Sequence, residues 1–133
     1  MSGQYRAITQ GITVSVEPFY LDEESRPEQG RYVWAYMVEI KNDTDTPVHL
    51  RSRHWIIMDG QGRVEEVQGP GVVGEEPVIE PGEAYEYSSG CPLRTPSGIM
   101  SGSYGMERED GSSFDVTIPA FSLDLPDVAR SLN

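Results

Sequence analysis

At 133 residues and 37% hydrophobic content, the chain makes one domain that buries roughly two-thirds of its unfolded surface, without requiring disulfides or a structural metal. Twenty-two acidic residues against ten basic ones give a formal net charge of −12, which repels nucleic-acid phosphates and anionic membranes, so neither is an expected partner. No apolar run approaches a membrane span, no export signal opens the chain, and the single cysteine, Cys91, excludes an internal disulfide and a cysteine-rich zinc site. A cytoplasmic protein is expected, with Cys91 as a packing residue. The acidity favours basic surfaces or cations as partners and serves solubility.

Ile12, Val14 and Val16 alternate with Thr13, Ser15 and Glu17, the period of a half-buried strand that Pro18 should end. Asp22 to Gly30 reads as a polar loop. Tyr32 to Ile40 then places Tyr32, Trp34, Tyr36, Val38 and Ile40 on one face of a central strand. Asn42 to Pro47 turns the chain with side chains able to bond the local backbone. A third strand runs from Val48 to Met58, and Asp59-Gly60-Gln61-Gly62 signals a hairpin through the positive φ values that Asp-Gly accepts. Arg63 to Val67 pairs back.

Gly69-Pro70-Gly71-Val72-Val73-Gly74 matches G-x-G-x-x-G. After it, Pro77 and Pro81 flank Val78-Ile79-Glu80, leaving no room for a helix. Glu83 to Ser88 alternates again. Met100, Gly102, Tyr104 and Met106 form a strand in which Gly102 and Gly105 imply a bulge or a close neighbour. Glu109-Asp110-Gly111-Ser112 is a second hairpin turn, and Phe114, Val116 and Ile118 mark the last long strand, closed by Pro119. Phe121, Leu123 and Leu125 extend it along an edge. Only Pro126 to Leu132 has helical potential, as a tail.

Seven to eight short strands with no helical period between them predict an all-β fold, an antiparallel β-sandwich over residues 1–126 followed by a tail at 127–133. The Cys-Trp-Cys pattern of immunoglobulin domains is absent, so a fibronectin type III-like sandwich with Trp34 as core aromatic is expected. A small closed barrel is the alternative.

The segments His54-Trp55-Ile56-Ile57-Met58-Asp59, Gly69 to Pro77, Tyr87-Ser88-Ser89-Gly90, Thr95 to Tyr104 and Ile118-Pro119-Ala120-Phe121 together resemble the ApaG family, from about Tyr5 to Pro126. The resemblance implies a fibronectin type III-like sandwich in a bacterial cytoplasmic protein of undefined activity. It also implies a genetic association with cobalt and magnesium efflux, and a gene neighbouring a diadenosine tetraphosphatase. Similar domains appended to eukaryotic F-box and polymerase-interacting proteins imply protein–protein contact.

A dinucleotide fingerprint needs a strand that delivers its glycine turn to a helix N-terminus. Here no helix follows, and Glu65, Glu66, Glu75, Glu76 and Glu80 surround the motif. Gly69, Gly71 and Gly74 are therefore expected first as suppliers of positive φ in a shaped loop. Pyrophosphate or nucleotide would bind only through a nest of N–H groups, with Arg51, Arg53, Arg63 or Arg94 folding over it. Val72 and Val73 are expected either to anchor a partner or to plug the sandwich.

His49 and His54, five apart, should face opposite ways unless a bulge intervenes, and no ligand motif includes them, so no metal or cofactor site is expected. Neither a G-x-S-x-G elbow nor a Walker sequence occurs. Glu65-Glu66 and Glu75-Glu76 would make a carboxylate pair only if brought together. The expected activity is therefore binding of an unidentified protein partner at Arg63, Gly69, Gly71, Val72, Val73 and Gly74, without catalysis. Phosphate or nucleotide binding there is the alternative.

Overall fold

The computed structural model describes residues 4–126. Nine strands follow in chain order: β1 (Tyr5–Thr9), β2 (Ile12–Tyr20), β3 (Tyr32–Asn42), β4 (Val48–Asp59), β5 (Val64–Pro70), β6 (Val78–Ile79), β7 (Ala84–Leu93), β8 (Gly98–Arg108) and β9 (Ser113–Leu123). Two antiparallel sheets result, one ordered β1-β2-β3-β7 and the other β5-β4-β8-β9, with β6 also paired to β4. The expected sandwich is present, with nine strands in place of seven to eight. The two additions gave no alternation long enough to read: β1 exposes Ile8, and β6 has two residues. The helical tail expected at Pro126 to Leu132 lies, but for Pro126, outside the described residues.

Inward faces of both sheets supply the core, including Val14, Trp34, Val38, Ile40, Leu50, Tyr104 and Leu123. Trp34 is buried as expected, and its indole N–H donates to Asp124 O at 2.9 Å. Trp55 forms the other aromatic centre, edge-on to Tyr36, Tyr104 and Phe121 with centroids 5.3, 6.4 and 6.0 Å away. Such edge contacts add about 0.5–1.5 kcal/mol each beyond the burial of apolar area.

Two prolines expected to end strands do not. Pro18 continues β2 opposite Tyr36, beyond the point where β1 stops at the Tyr5–Val16 pair, so one edge of β2 is free and a missing N–H costs no ladder bond. Pro119 lies in a bulge: Met100 pairs with Phe121 and Gly102 with Ile118, leaving Pro119 and Ala120 opposite Ser101. The glycines of β8 behave as expected, since a Cβ on Gly102 would stand 2.1 Å from His54 O. In the β4–β5 hairpin the positive φ falls on Gly62 (85°) and not on Gly60. A type I turn whose third step is left-handed replaces the Asp-Gly turn, with Asp59 Oδ1 accepting from the Gln61 and Arg63 N–H groups.

On one flank the edge strands of the two sheets meet. There β1 lies against β9, with Thr117 N–H donating to Thr9 Oγ1 at 3.1 Å and the Tyr5 and Ser122 hydroxyls 3.1 Å apart. On the opposite flank the free edges of β5 and β7 face each other without pairing, so the barrel alternative does not apply. That open flank holds the glycine motif.

Candidate functional site

Gly69 and Pro70 are the last residues of β5, paired with Arg53 and Ser52 of β4. The loop proper begins at Gly71. Its N–H donates to Arg51 O at 2.9 Å, and a tight turn follows in which Val72 and Glu75 exchange N–H···O bonds of 2.8 and 2.9 Å. Gly71 has φ of 60°, and a Cβ there would come within 2.2 Å of Glu75 O, so this position admits only glycine. Gly74, at 84°, also needs a left-handed backbone, whereas Gly69 is not among the positive-φ residues. What Gly69 provides is room: a Cβ would lie 3.2 Å from the Arg53 guanidinium. The expectation of positive φ thus holds for two of the three glycines.

The Arg53 guanidinium fastens this loop, with Nη1 donating to Pro70 O at 2.8 Å and Gly71 O at 3.0 Å. Of the arginines that could reach the motif, Arg53 is the one that does. Arg63 turns away, donating to Gln61 Oε1 at 2.8 Å and lining a neighbouring hollow. This corrects its assignment to the loop, because the hairpin turn carries it to the far end of β5. Of the loop's N–H groups, those of Gly71, Val72 and Glu75 already donate within the fold, which leaves a phosphate nest the Val73 and Gly74 pair, while the loop's carbonyls take the guanidinium.

Val72 and Val73 divide the two expected roles. Val72 is 1% exposed and packs in the core as a plug on the open flank; Val73 is 55% exposed. Val73 also holds φ of 41°, a left-handed backbone rarely tolerated by a β-branched residue. The turn thereby presents an apolar side chain at the mouth of a cavity of about 380 Å³ that opens between β5 and β7. Trp55, Ile57, Val67, Val72 and Met100 give it an apolar floor, and Tyr36, Tyr87, Ser89 and Cys91 line the β3–β7 side. Its volume falls in the range of about 300–1,000 Å³ usual for binding pockets.

Arg53 and Glu65 are the charged residues among its lining. The remaining polar groups stay neutral at physiological pH. Burial, with a smaller contribution from Glu65, pushes the Cys91 thiol up to about 11. Burial likewise raises the Tyr36, Tyr87 and Tyr104 hydroxyls, and the last two stand 2.5 Å apart. Cys91 is accordingly a packed thiol with little thiolate character, as expected.

A second hollow of about 590 Å³ continues from the first, sharing Ile57, Glu65 and Pro92. Arg31, Arg63 and Arg94 line it, together with Asp59. Sequence reading missed the inward placement of Arg53 and Trp55. A bulge between Leu50 and Ser52 shifts the β4 register, so the alternation breaks where these residues begin. The same bulge puts His49 and His54 on one face, correcting the expectation of opposite faces. Each is engaged separately, His49 Nε2 with Glu76 O at 3.0 Å and His54 Nε2 with Glu66 at 2.8 Å. Among the described residues, no three His, Cys, Asp or Glu side chains are placed to share a metal. The glutamate pairs also disperse, with Glu66 to His54, Glu76 to Arg51 and Glu75 to Tyr85.

Comparison with known proteins matches the ApaG domain family model over residues 22–108. The Protein ApaG of Brucella anthropi is 60% identical, and that of Sinorhizobium fredii 57% identical, over 129 residues, covering 97% of this chain and 99% of each relative. A crystal structure of an ApaA-named protein from Bordetella pertussis is 52% identical and superposes with a TM-score of 0.85, covering 86% of this chain and 94% of that one. An open-flanked antiparallel sandwich with its glycine loop, matched over nearly its whole length by these relatives, belongs to the ApaG domain family.

Proposed function

We propose that this chain is a cytoplasmic, non-enzymatic binding module that engages a protein partner at the open flank between β5 and β7. The observation that carries the reading is the apolar cavity between two unpaired strand edges, with Val73 held exposed at its mouth in a left-handed conformation. A β-branched residue in that conformation costs stability, of order 1–3 kcal/mol, and its exposed side chain recovers little of this inside the fold. Unpaired edges offer main-chain bonds to an added strand, and a cavity beside them supplies side-chain selectivity. The association with cobalt and magnesium efflux would then act through the partner, since His49 and His54 each serve a local contact.

Affinity capture with wild-type protein and with Val73→Asp tests this. Val72 is unsuitable, because a charge there would unfold the core. Val73→Asp should melt at or slightly above wild type, since Asp accepts the left-handed backbone better than Val, yet lose at least one captured protein, whose purified form then binds wild type directly. Identical capture by the two folded proteins refutes the flank as the contact.

A further inference from the structure

The hollow beyond the cavity has a charge opposite to that of the molecule. Three of the nine arginines, Arg31, Arg63 and Arg94, converge on it in a chain of net charge −12. Two carboxylates face them. Asp59 is occupied by the hairpin, accepting from the Gln61 and Arg63 N–H groups at 2.8 and 3.0 Å, and Glu65 lies between the two hollows. Among the described residues, no side-chain hydrogen bond or ion pair engages the guanidinium of Arg31 or Arg94, and that of Arg63 meets only the neutral Gln61 amide. All three arginines are exposed. The arginines of β4 are used: Arg51 pairs with Glu76 and Glu107, and Arg53 holds the glycine loop.

Resting on the binding-module reading, we infer that the partner presents an extended acidic segment, with an apolar side chain in the cavity and an Asp or Glu carboxylate against Arg31, Arg63 and Arg94. Charge complementarity selects this occupant. A basic segment, which the overall acidity would favour, meets three guanidinium groups without a carboxylate partner at this flank. Continuity of the hollows through Ile57, Glu65 and Pro92 allows one strand to span both. The free edges of β5 and β7 run beside that path, since among the described residues β5 pairs only with β4 and β7 only with β3. Guanidinium forks suit carboxylate oxygens geometrically, and side chains two apart on a strand point to the same side, so apolar and acidic residues at i and i+2 can enter adjacent hollows.

A random-peptide display library panned on the full chain tests the inference, followed by affinity measurement with the leading peptide carrying a fluorescent label. Selected sequences should place Asp or Glu near an apolar residue. The labelled peptide should bind the Arg31→Gln/Arg63→Gln/Arg94→Gln protein about tenfold more weakly, the combined effect of exposed pairs worth little singly. Its amide version, with Asn or Gln in place of the acid, should bind wild type and variant equally. Selected peptides without an acidic preference, or equal affinity of the acidic peptide for both proteins, overturn the inference. So does inorganic phosphate shifting the Arg31, Arg63 and Arg94 amide signals where the acidic peptide shifts none, an outcome that reassigns the arginines to a small anion. A peptide lost on Val73→Asp but indifferent to the arginines overturns only this inference and leaves the binding module standing. Failure of that reading is separate: capture unaffected by Val73→Asp.

Discussion

Replacing Gly71 and Gly74 by alanine, one at a time, separates the backbone demands of the loop from its steric ones. Both glycines adopt positive φ, so an alanine at either should cost roughly 1–2 kcal/mol for the left-handed backbone. At Gly74 nothing lies within 4 Å of the added Cβ, and that cost should be the whole effect. At Gly71 the Cβ would meet Glu75 O at 2.2 Å, so the turn must open. Opening it withdraws Val72 from the core, a loss of about 1.5–3 kcal/mol. It also breaks one or both Arg53 bonds to Pro70 O and Gly71 O, net about 0.5–1.5 kcal/mol each. Gly71→Ala should therefore destabilise by about 3–8 kcal/mol, a large part of the roughly 5–15 kcal/mol typical of a domain. Urea unfolding followed by tryptophan fluorescence measures this, because Trp34 and Trp55 are both buried. Equal destabilisation by the two substitutions would refute the view that the motif is a clamped plug.

Asn42 should be nearly as sensitive as the loop. Its buried amide donates to Thr46 O at 2.8 Å and Ile79 O at 2.9 Å, and its Oδ1 accepts from Thr44 N–H at 2.9 Å. Asn42→Ala strands these partners and should cost about 2–4 kcal/mol in the same urea assay, with Asn42→Asp no rescue because a carboxylate cannot donate to the two carbonyls. The Cys91 thiol predicts an alkaline dependence. Its folded pKa is raised to about 11 from an ordinary 9.0, so the unfolded chain releases the proton first. The thiol's contribution is fully present below pH 9 and is lost between about pH 9 and 11, roughly 2–3 kcal/mol in all. Stability measured against pH should fall more steeply over that interval in wild type than in Cys91→Ser, and parallel curves would contradict the assignment.

Alternation determined most of the architecture by itself. In β3 the sequence Tyr32-Val33-Trp34-Ala35-Tyr36-Met37-Val38-Glu39-Ile40 can bury its aromatic and aliphatic face only as a strand, and the runs around Val14, Tyr104 and Val116 repeat that local rule. With Gly and Pro punctuating them, an all-β sandwich or a small closed barrel was left to cover those faces, and the segments resembling the ApaG family pointed to the sandwich. Register was beyond the reach of pattern. The bulge after Leu50, which turns Arg53 and Trp55 inward and puts His49 and His54 on one face, arises from pairing with β8 and has no local signature in β4. The site depended on tertiary structure even more. Gly69-Pro70-Gly71-Val72-Val73-Gly74 reads equally as a phosphate loop or as a turn until its neighbours are known. The local Val72–Glu75 turn shapes the loop, but Arg53 and the gap between two sheet edges decide that Val72 goes in and Val73 goes out, because those contacts join segments far apart in the chain.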